Sequence, residues 1–264
     1  MPIASPDVVT VLSGGMVGFI LALIGGGGSV LAVPLLVYVV GVKSPHVAIG
    51  TSAIAVAISA FANMLSHWAR GNVRWPCAIV FSAAGIGGAL AGATIAKQID
   101  GQKLLILFGM LMIVIGVLMS KKRGGGGDAS IRLSRATARA MLPKLIGTGF
   151  GVGILSGFFG IGGGFLIVPG LILATGMPLT FAIGTSLVAV VTFGASTAAS
   201  YAVSGLIDWR LAGVFIAGGL LGGLVGIATG RIVGKRDRAL RGIFAAVVVM
   251  VGLYVCYRGV MYFL

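Results

Sequence analysis

The stretch Gly25-Gly26-Gly27-Gly28-Ser29-Val30-Leu31-Ala32-Val33-Pro34 occurs a second time about 135 positions further along the chain. The second copy, residues 160–169, reads Gly-Ile-Gly-Gly-Gly-Phe-Leu-Ile-Val-Pro and is identical at six of the ten positions. Each copy interrupts an apolar run with glycines and then restarts it. In a membrane, such an interruption is tolerated only where protein or a water-filled cavity surrounds it. Two interruptions at corresponding places are a strong sequence indication of a transporter's binding site.

The composition is typical of a polytopic helical membrane protein. Of 264 residues, 58% are hydrophobic and only 9% are charged, and the mean hydropathy is +1.13. The net charge of +14 does not indicate nucleic-acid binding, because the cations lie in short loops without interleaved aromatic residues. Cys77 and Cys256 lie in different apolar segments without partner ligands, so we expect no disulfide, no metal site and no cofactor.

Acidic residues are few, and all are expected outside the apolar segments. The chain has no Glu and five Asp, which are Asp7, Asp100, Asp128, Asp208 and Asp237. Cation transporters and proton pumps commonly keep carboxylates within the membrane, where a charge is expensive and serves a purpose. A negatively charged cargo is therefore the simpler inference.

The apolar segments divide into five per half. They span residues 8–24, 29–42, 46–69, 75–96, 102–120, 142–159, 164–176, 179–204, 210–230 and 239–262. Segments 29–42 and 164–176 are too short to cross the hydrocarbon core comfortably, since a crossing helix needs about 20 apolar residues. The basic, glycine-rich stretch 121–139 predicts a flexible cytoplasmic linker between a first repeat over 1–120 and a second over 140–264.

The duplication extends beyond the glycines. The triplet Gly50-Thr51-Ser52 matches Gly184-Thr185-Ser186, and residues 71–75 match residues 205–209. Counting apolar segments outward from the basic linker puts the loop at residues 71–75 in the cytoplasm and its counterpart at residues 205–209 outside. The sequence thus predicts an all-α membrane protein of two inverted-topology repeats, with both termini in the periplasm.

The short segments leave two arrangements open. Segments 8–24 and 29–42 could each cross the membrane, or they could form a hairpin that enters and leaves by one face, and the same holds for 142–159 and 164–176. Because the second segment of each pair is short, we favour half-helices whose glycine tips meet near the midplane.

A helix that begins at a glycine break presents free backbone N–H groups and the positive end of its dipole, which together bind anions. Two such ends facing each other would hold a small oxyanion without a Lys or Arg and release it again. The alternative is that the glycines only permit tight helix packing. Hydroxyls of the Gly-Thr-Ser triplets are expected beside further helix N-termini. The predicted substrate-binding residues are Gly25, Gly27, Gly28, Ser29, Thr51, Ser52, Gly160, Gly162, Gly163, Gly164, Thr185 and Ser186.

Polar residues at helical spacing form a stripe along segments 46–69 and 179–204. Such a stripe faces a cavity or another helix and not lipid, so both pathway lining and interhelical hydrogen bonding stay open. His67 lies near the Arg70 end of its segment, where a wetted interfacial histidine is commoner than a proton-coupling one. The candidate pathway residues are Ser59, Asn63, His67, Thr192 and Ser196.

With the duplicated glycine break, the proline after it, the Gly-Thr-Ser triplet and the basic linker in view, the chain resembles the sulfite exporter TauE/SafE family over nearly its whole length. The resemblance implies a bacterial inner-membrane permease that moves sulfite, sulfonates or related sulfur-containing anions, usually outward. Ser29 against Gly164 breaks the symmetry, so the two halves need not contact substrate equally. The family's glycine motif maps onto Gly25, Gly27, Gly28, Gly160, Gly162 and Gly163.

We therefore expect a secondary transporter whose repeats rock against each other around a midplane site for a small anion. A negative-inside potential favours anion export by about 2.3 kcal/mol per charge per 100 mV, so no coupling carboxylate is required. An anion channel is the nearest alternative. A cation or metal permease predicts intramembrane Asp, Glu or paired His and Cys, a hydrolase predicts an acidic partner for His67, and a scaffold needs no matched breaks.

Overall fold

The computed structural model describes residues 6–24, 26–121, 135–160, 164–233 and 237–263. Gly25, Gly162, Gly163 and most of the predicted linker lie outside the described residues. Helix α2 is composite, with a 3-10 helix Gly26–Leu31, an α-helical turn Ala32–Pro34 and a π-helix Leu35–Val39. The other helices are α1 Pro6–Ile24, α3 Pro45–Ala69, α4 Trp75–Ala96, α5 Gly101–Lys121, α6 Arg135–Phe159, α7 Gly164–Thr175, α8 Leu179–Val203, α9 Trp209–Val233 and α10 Asp237–Phe263.

Each predicted apolar segment corresponds to one helix, so the all-helical prediction is confirmed. The largest difference is at α6, which begins at Arg135, inside the stretch 121–139 that was predicted as linker. Residues 135–140 are Arg, Ala and Thr, and the arginines and alanines among them are strong helix formers. Six of the described helices are long and apolar enough to cross a membrane, namely Pro45–Ala69, Trp75–Ala96, Arg139–Phe159, Leu179–Val203, Trp209–Thr229 and Ala245–Tyr262.

Helices α3 and α8 each end in a turn of the same type. Gly71 and Gly205 have φ angles of +70° and +68°, a left-handed conformation in which glycine avoids a Cβ clash. The N–H of Gly71 donates to the carbonyl of Trp68 at 2.8 Å, and that of Gly205 donates to Ala202 at 2.9 Å. The loops before α4 and α9 therefore begin with the same geometry.

The most extensive helix contacts join one half of the chain to the other. Helix α1 packs along α9, where Gly14 meets the carbonyl of Phe215 and Gly18 meets that of Gly219. These contacts advance in the same direction along both helices, so α1 and α9 are parallel. With little hydrophobic drive between helices in lipid, small residues let such backbones approach closely.

The α4–α6 pair repeats this arrangement. Gly149 lies against Phe81, and Gly157 lies against Ala89, so these two helices are also parallel. In both pairs, one helix comes from each half. The halves are therefore interleaved and do not form two separate blocks, which differs from the prediction of one repeat rocking against the other.

Two further pairs are antiparallel. Helix α3 crosses α8, with Gly50 near Tyr201 and Gly194 near Ala57. Helix α5 packs against α10 with the same reversal of direction. Helix α3 lies deepest, since 72% of an 18-residue stretch of it is buried, compared with 28% for α10. The α3–α8 crossing is therefore the centre of the molecule.

Glycine substitutions on α9 test this packing. A Cβ at Gly222 would meet the Gly15 carbonyl of α1, whereas a Cβ at Gly213 meets nothing within 4 Å. We expect Gly222→Ala to cost about 1–3 kcal/mol by overpacking. Gly213→Ala on the same helix is the matched control and should stay within about 1 kcal/mol of the parent. Thermal unfolding in detergent measures both, and equal unfolding midpoints would contradict the close α1–α9 contact.

Candidate functional site

The first glycine break separates α1 from α2. Helix α1 ends at Ile24, and α2 begins at Gly26 and folds back along α1. A Cβ built on Gly28 would lie 2.5 Å from the Leu21 nitrogen and 2.8 Å from the Val17 oxygen, so the backbone of α2 touches α1 directly. Gly27 lies in the 3-10 segment, and Ser29 beside it is fully buried.

The second break separates α6 from α7. Gly160 follows the last residue of α6 with a φ of +65°, and α7 begins at Gly164. Gly160 packs on the side chain of Ile49, at the start of α3. The 3-10 segment of α2 packs against α7, so the two returning limbs touch each other.

The described edges of the two breaks lie near opposite ends of the bundle. Gly226 of α9 contacts Ala22, close to the end of α1. Gly160 lies instead beside Ser52, whose neighbour Thr51 binds the residue just before α9. Gly226 is 17 residues along α9 from Trp209, or about 25 Å of helix. This differs from the prediction that the glycine tips meet near the midplane. The reason is that α1 follows α9, and α6 follows α4, almost to the far end of the partner helix.

The Gly-Thr-Ser triplets lie in the second turn of α3 and α8 and contact the opposite half of the chain. The N–H of Asp208 donates to the Thr51 hydroxyl at 3.0 Å, and the N–H of Arg74 donates to the Thr185 hydroxyl at 3.0 Å. Both threonines are fully buried. Each threonine therefore lies beside the start of a helix from the other half, α9 for Thr51 and α4 for Thr185, and not at the start of its own helix.

The preceding glycines bring the same segments together. A Cβ on Gly50 would meet the carbonyl of Leu206, and one on Gly184 would lie 2.5 Å from the carbonyl of Asn72. Leu206 and Asn72 occupy equivalent positions in the duplicated loops. Both contacts therefore require glycine, because a side chain would push the loop away from the helix.

Ser52 connects the first triplet to the second glycine break. Its single hydroxyl hydrogen is shared between two carbonyls, that of Ile49 in its own helix at 2.9 Å and that of Gly160 at 3.3 Å. The Ser186 hydroxyl donates to the Ile183 carbonyl of its own helix at 2.8 Å. Ser52 and Ser186 have no exposed surface, so an ion reaches these hydroxyls only after the surrounding helices move. The structure is therefore a closed conformation at these positions.

The predicted polar stripes divide into two kinds of environment. Ser59 and Asn63 are each 2% exposed and face α9, where a Cβ on Gly219 would lie 2.5 Å from the Ser59 hydroxyl and one on Gly223 3.3 Å from the Asn63 amide nitrogen. The hydroxyls of Thr192 and Ser196 donate to carbonyls of their own helix, and they are half-buried. His67 is half-buried at the end of α3. Their role as pathway residues stays a prediction.

The described carboxylates with visible contacts serve helix ends. Asp208 accepts the N–H of Leu211 at 2.9 Å, and Asp100 caps the start of α5 in the same way. Asp7 pairs with Arg210 at 3.1 Å on the exposed surface, where an ion pair adds little stability. Among the described residues, no three His, Cys, Asp or Glu side chains come close enough to share a metal ion.

The cross-half hydrogen bonds were not predicted from the sequence. The triplet and the loop recur at equal spacing in both halves, but this recurrence follows from the duplication and gives no sign that they contact each other. A second unpredicted interaction caps α8, where Lys97 donates to the carbonyl and hydroxyl of Ser200 at 3.1 and 3.0 Å and to the hydroxyl of Ser204 at 3.0 Å. A cation at a helix C-terminus is stabilised by the helix dipole.

Comparison with known proteins identifies relatives along almost the whole chain. The family model described as Sulfite exporter TauE/SafE matches residues 10–255. A "Probable membrane transporter protein" of Xylella fastidiosa (strain 9a5c) is 48% identical over 251 residues, which cover 95% of each chain. The "Probable membrane transporter protein YunE" of Bacillus subtilis (strain 168) is 27% identical over 270 residues, covering 96% of this chain and 98% of YunE. No solved structure matches the chain.

Replacement of Ser52 tests its contact with the break. Ser52→Ala removes the donor to the Gly160 carbonyl, and we expect a loss of about 1 kcal/mol, the usual net value of a buried hydrogen bond. Thermal unfolding in detergent should show a lower midpoint. Ser186→Ala is the matched control, because Ser186 is equally buried and its hydroxyl donates to the Ile183 carbonyl of its own helix, as that of Ser52 does to Ile49. Equal midpoints for the two variants would contradict the Ser52–Gly160 contact.

Proposed function

Because the chain belongs to the TauE/SafE family of membrane transporters, we propose that it carries a small sulfur-containing anion, such as sulfite or an organosulfonate, out of the bacterial cell across the inner membrane. The chain is a multi-pass membrane protein, and six of its described helices are long enough to cross.

One observation carries the choice of an anion. The second glycine break is bordered by the Ser52 hydroxyl and by peptide groups, and Ser52 is fully buried on the central helix α3. Hydroxyl and N–H donors at a break hold an oxyanion without a formal positive charge, so the anion can also leave. The four aspartates that the structure describes, Asp7, Asp100, Asp208 and Asp237, all lie at the starts of helices, in keeping with a cargo that carries negative charge.

The packing of equivalent helices supports an inverted repeat. Under the duplication, α3 corresponds to α8 and α5 to α10, and both of these pairs are antiparallel where they touch. The α1–α9 contact corresponds to the α6–α4 contact, and both pairs are parallel. A two-fold axis in the membrane plane would exchange all of these pairs, which is the arrangement of many secondary transporters.

The charges support an orientation with both termini in the periplasm. Helix directions put the loop with Arg70 and Arg74, the ends of α5 and α9 and the starts of α6 and α10 on one side of the bundle. Among the described residues, most Lys and Arg lie near these loops and helix ends, so this side is the cytoplasmic one by the positive-inside rule. The Asp7–Arg210 pair joins the start of α1 to the start of α9 on the opposite side. A negative-inside potential would then favour outward movement of an anion.

The interleaved packing changes the moving parts that we propose. Separating the two sequence halves would break the α1–α9 and α4–α6 interfaces, the most extensive in the molecule. We infer that these mixed bundles, one containing α1, α2 and α9 and the other α4, α6 and α7, move against the central α3–α8 pair. Full burial of Thr51, Ser52, Thr185 and Ser186 in the closed state favours such a carrier over an open channel.

The proposed binding residues form two half-sites, one at each break. One half-site would lie toward the cytoplasm and the other toward the periplasm, so the anion would visit them in turn during a cycle. The first half-site comprises Gly25, Gly27, Gly28, Ser29 and Ser186, and the second comprises Gly160, Gly162, Gly163, Gly164 and Ser52. Thr51 and Thr185 border these half-sites through their contacts with the loops.

Flux measurements on purified protein in liposomes test the cargo. Under an imposed potential, we expect sulfite, thiosulfate or sulfoacetate to move with saturation and counterflow, which a channel lacks. Sodium and potassium should not move. Ser52→Ala and Ser186→Ala should each weaken apparent affinity by about fivefold, corresponding to one lost hydrogen bond. The matched control Thr229→Val, whose hydroxyl bonds within α9, should retain parental flux.

The outcomes discriminate between the alternatives. Current carried only by cations would reject the anion assignment. Flux that rises linearly with concentration and shows no counterflow would identify a channel. Parental affinity in both serine variants would remove these residues from the proposed half-sites.

A further inference from the structure

We propose that the two Gly-Thr pairs are latches that close the opposite faces of the protein in alternation, with Thr51 and Thr185 as the positioning residues. The outer latch is the contact of Gly50 and Thr51 with the loop before α9, and the inner latch is the contact of Gly184 and Thr185 with the loop before α4. This inference rests on the proposed transport function, and it concerns gating rather than cargo.

The two latches are chemically equivalent. In each, one backbone N–H donates to one threonine hydroxyl, at 3.0 Å in both cases. In each, a glycine touches the carbonyl of the loop residue two positions before that N–H. The threonines are fully buried, whereas Asp208 of the outer loop is exposed and Arg74 of the inner loop is half-buried. Each latch is thus a small contact at the border between buried helix and loop.

Their positions fit gating of a bundle. The outer latch holds the first turn of α9, which belongs to the bundle with α1, against α3. The inner latch holds the first turn of α4, which belongs to the bundle with α6, against α8. A mixed bundle cannot swing away from the α3–α8 centre at one face while the latch on that face is intact. Opening at one face therefore requires release of the latch at that face only, while the latch at the other face can stay closed.

The outer latch also covers the second glycine break. Thr51 binds the loop before α9, and the next residue, Ser52, binds the Gly160 carbonyl. Release of the loop would uncover the helix turn that carries Ser52. The same strip of α3 would therefore gate access and contact the proposed half-site.

The hydrogen bond is weak enough to act as a switch. A net value near 1 kcal/mol permits reversible opening, whereas the glycine-lined helix interfaces are continuous backbone contacts that cost more to separate. A switch of this kind needs an element with two arrangements of similar free energy.

Cysteine accessibility tests the latches without reference to the cargo. In a background with Cys77→Ala and Cys256→Ala, Ser52→Cys reports on the outer face and Ser186→Cys on the inner face. A membrane-impermeant maleimide is added to spheroplasts or to inverted vesicles, and labelling after denaturation gives the total. Thr51→Val should raise labelling of the cysteine at position 52 from the α8–α9 face about fivefold, since one hydrogen bond is lost. Thr185→Val should do the same for position 186 from the other face only.

Controls separate gating from general loosening. Thr51→Ser and Thr185→Ser retain the hydroxyl and should restore slow labelling, and Thr94→Val should have no effect. Labelling that rises at both reporters in each variant, or at neither, would overturn the proposal. Selective labelling in a protein that moves no sulfur-containing anion would leave the latches standing and reject only the cargo.

Hydrogen exchange on the unmodified protein gives a second measurement if the valine variants fold poorly. The loops before α4 and α9 should exchange faster than the α3–α8 crossing, because latches that open leave the helices folded. Equal protection of loops and crossing would show that the latches open only with the whole structure, and it would overturn the proposal.

Discussion

Backbone contact between helices of different halves is the constraint on which the rest of this structure depends. Along α1–α9 and α4–α6, glycines bring one helix against the carbonyl groups of the other. In lipid, packing of this closeness replaces the hydrophobic drive that assembles soluble proteins. Because the glycines recur at helical spacing, the partners stay in contact over most of their length, and α1 and α6 reach almost to the far side before the chain turns back.

This long contact explains where the breaks lie. Backbone polar groups released at a helix break must find partners within the protein when water is absent. At the second break, Ser52 supplies a donor to Gly160. Thr51 accepts the N–H of Asp208, just before α9, and Thr185 accepts the N–H of Arg74, just before α4. Thr51, Ser52 and Thr185 therefore satisfy backbone groups in this state, and a ligand would bind by replacing some of these partners.

Much of the fold could be predicted from the sequence, because hydropathy and glycine spacing are local signals. The bounds of α4, residues 75–96, were predicted without error, and α7 and α8 differ by one residue at one end. Hydropathy places the start of α6 too late, because Arg135 and Arg139 have the composition of a linker although arginine and the alanines beside them are good helix formers. The depth of the breaks could not be predicted, because it depends on which helix α1 and α6 follow, and that partner lies in the other half. The role of Thr51 was missed for the same reason, since its partner, Asp208, is 157 residues away.

Interleaving also constrains how the protein is made. When the ribosome has completed α5, helices α1 and α4 are in the membrane without α9 and α6, their principal partners. The early helices must therefore wait in the bilayer, or be held by an insertion factor, until the second half has been synthesised.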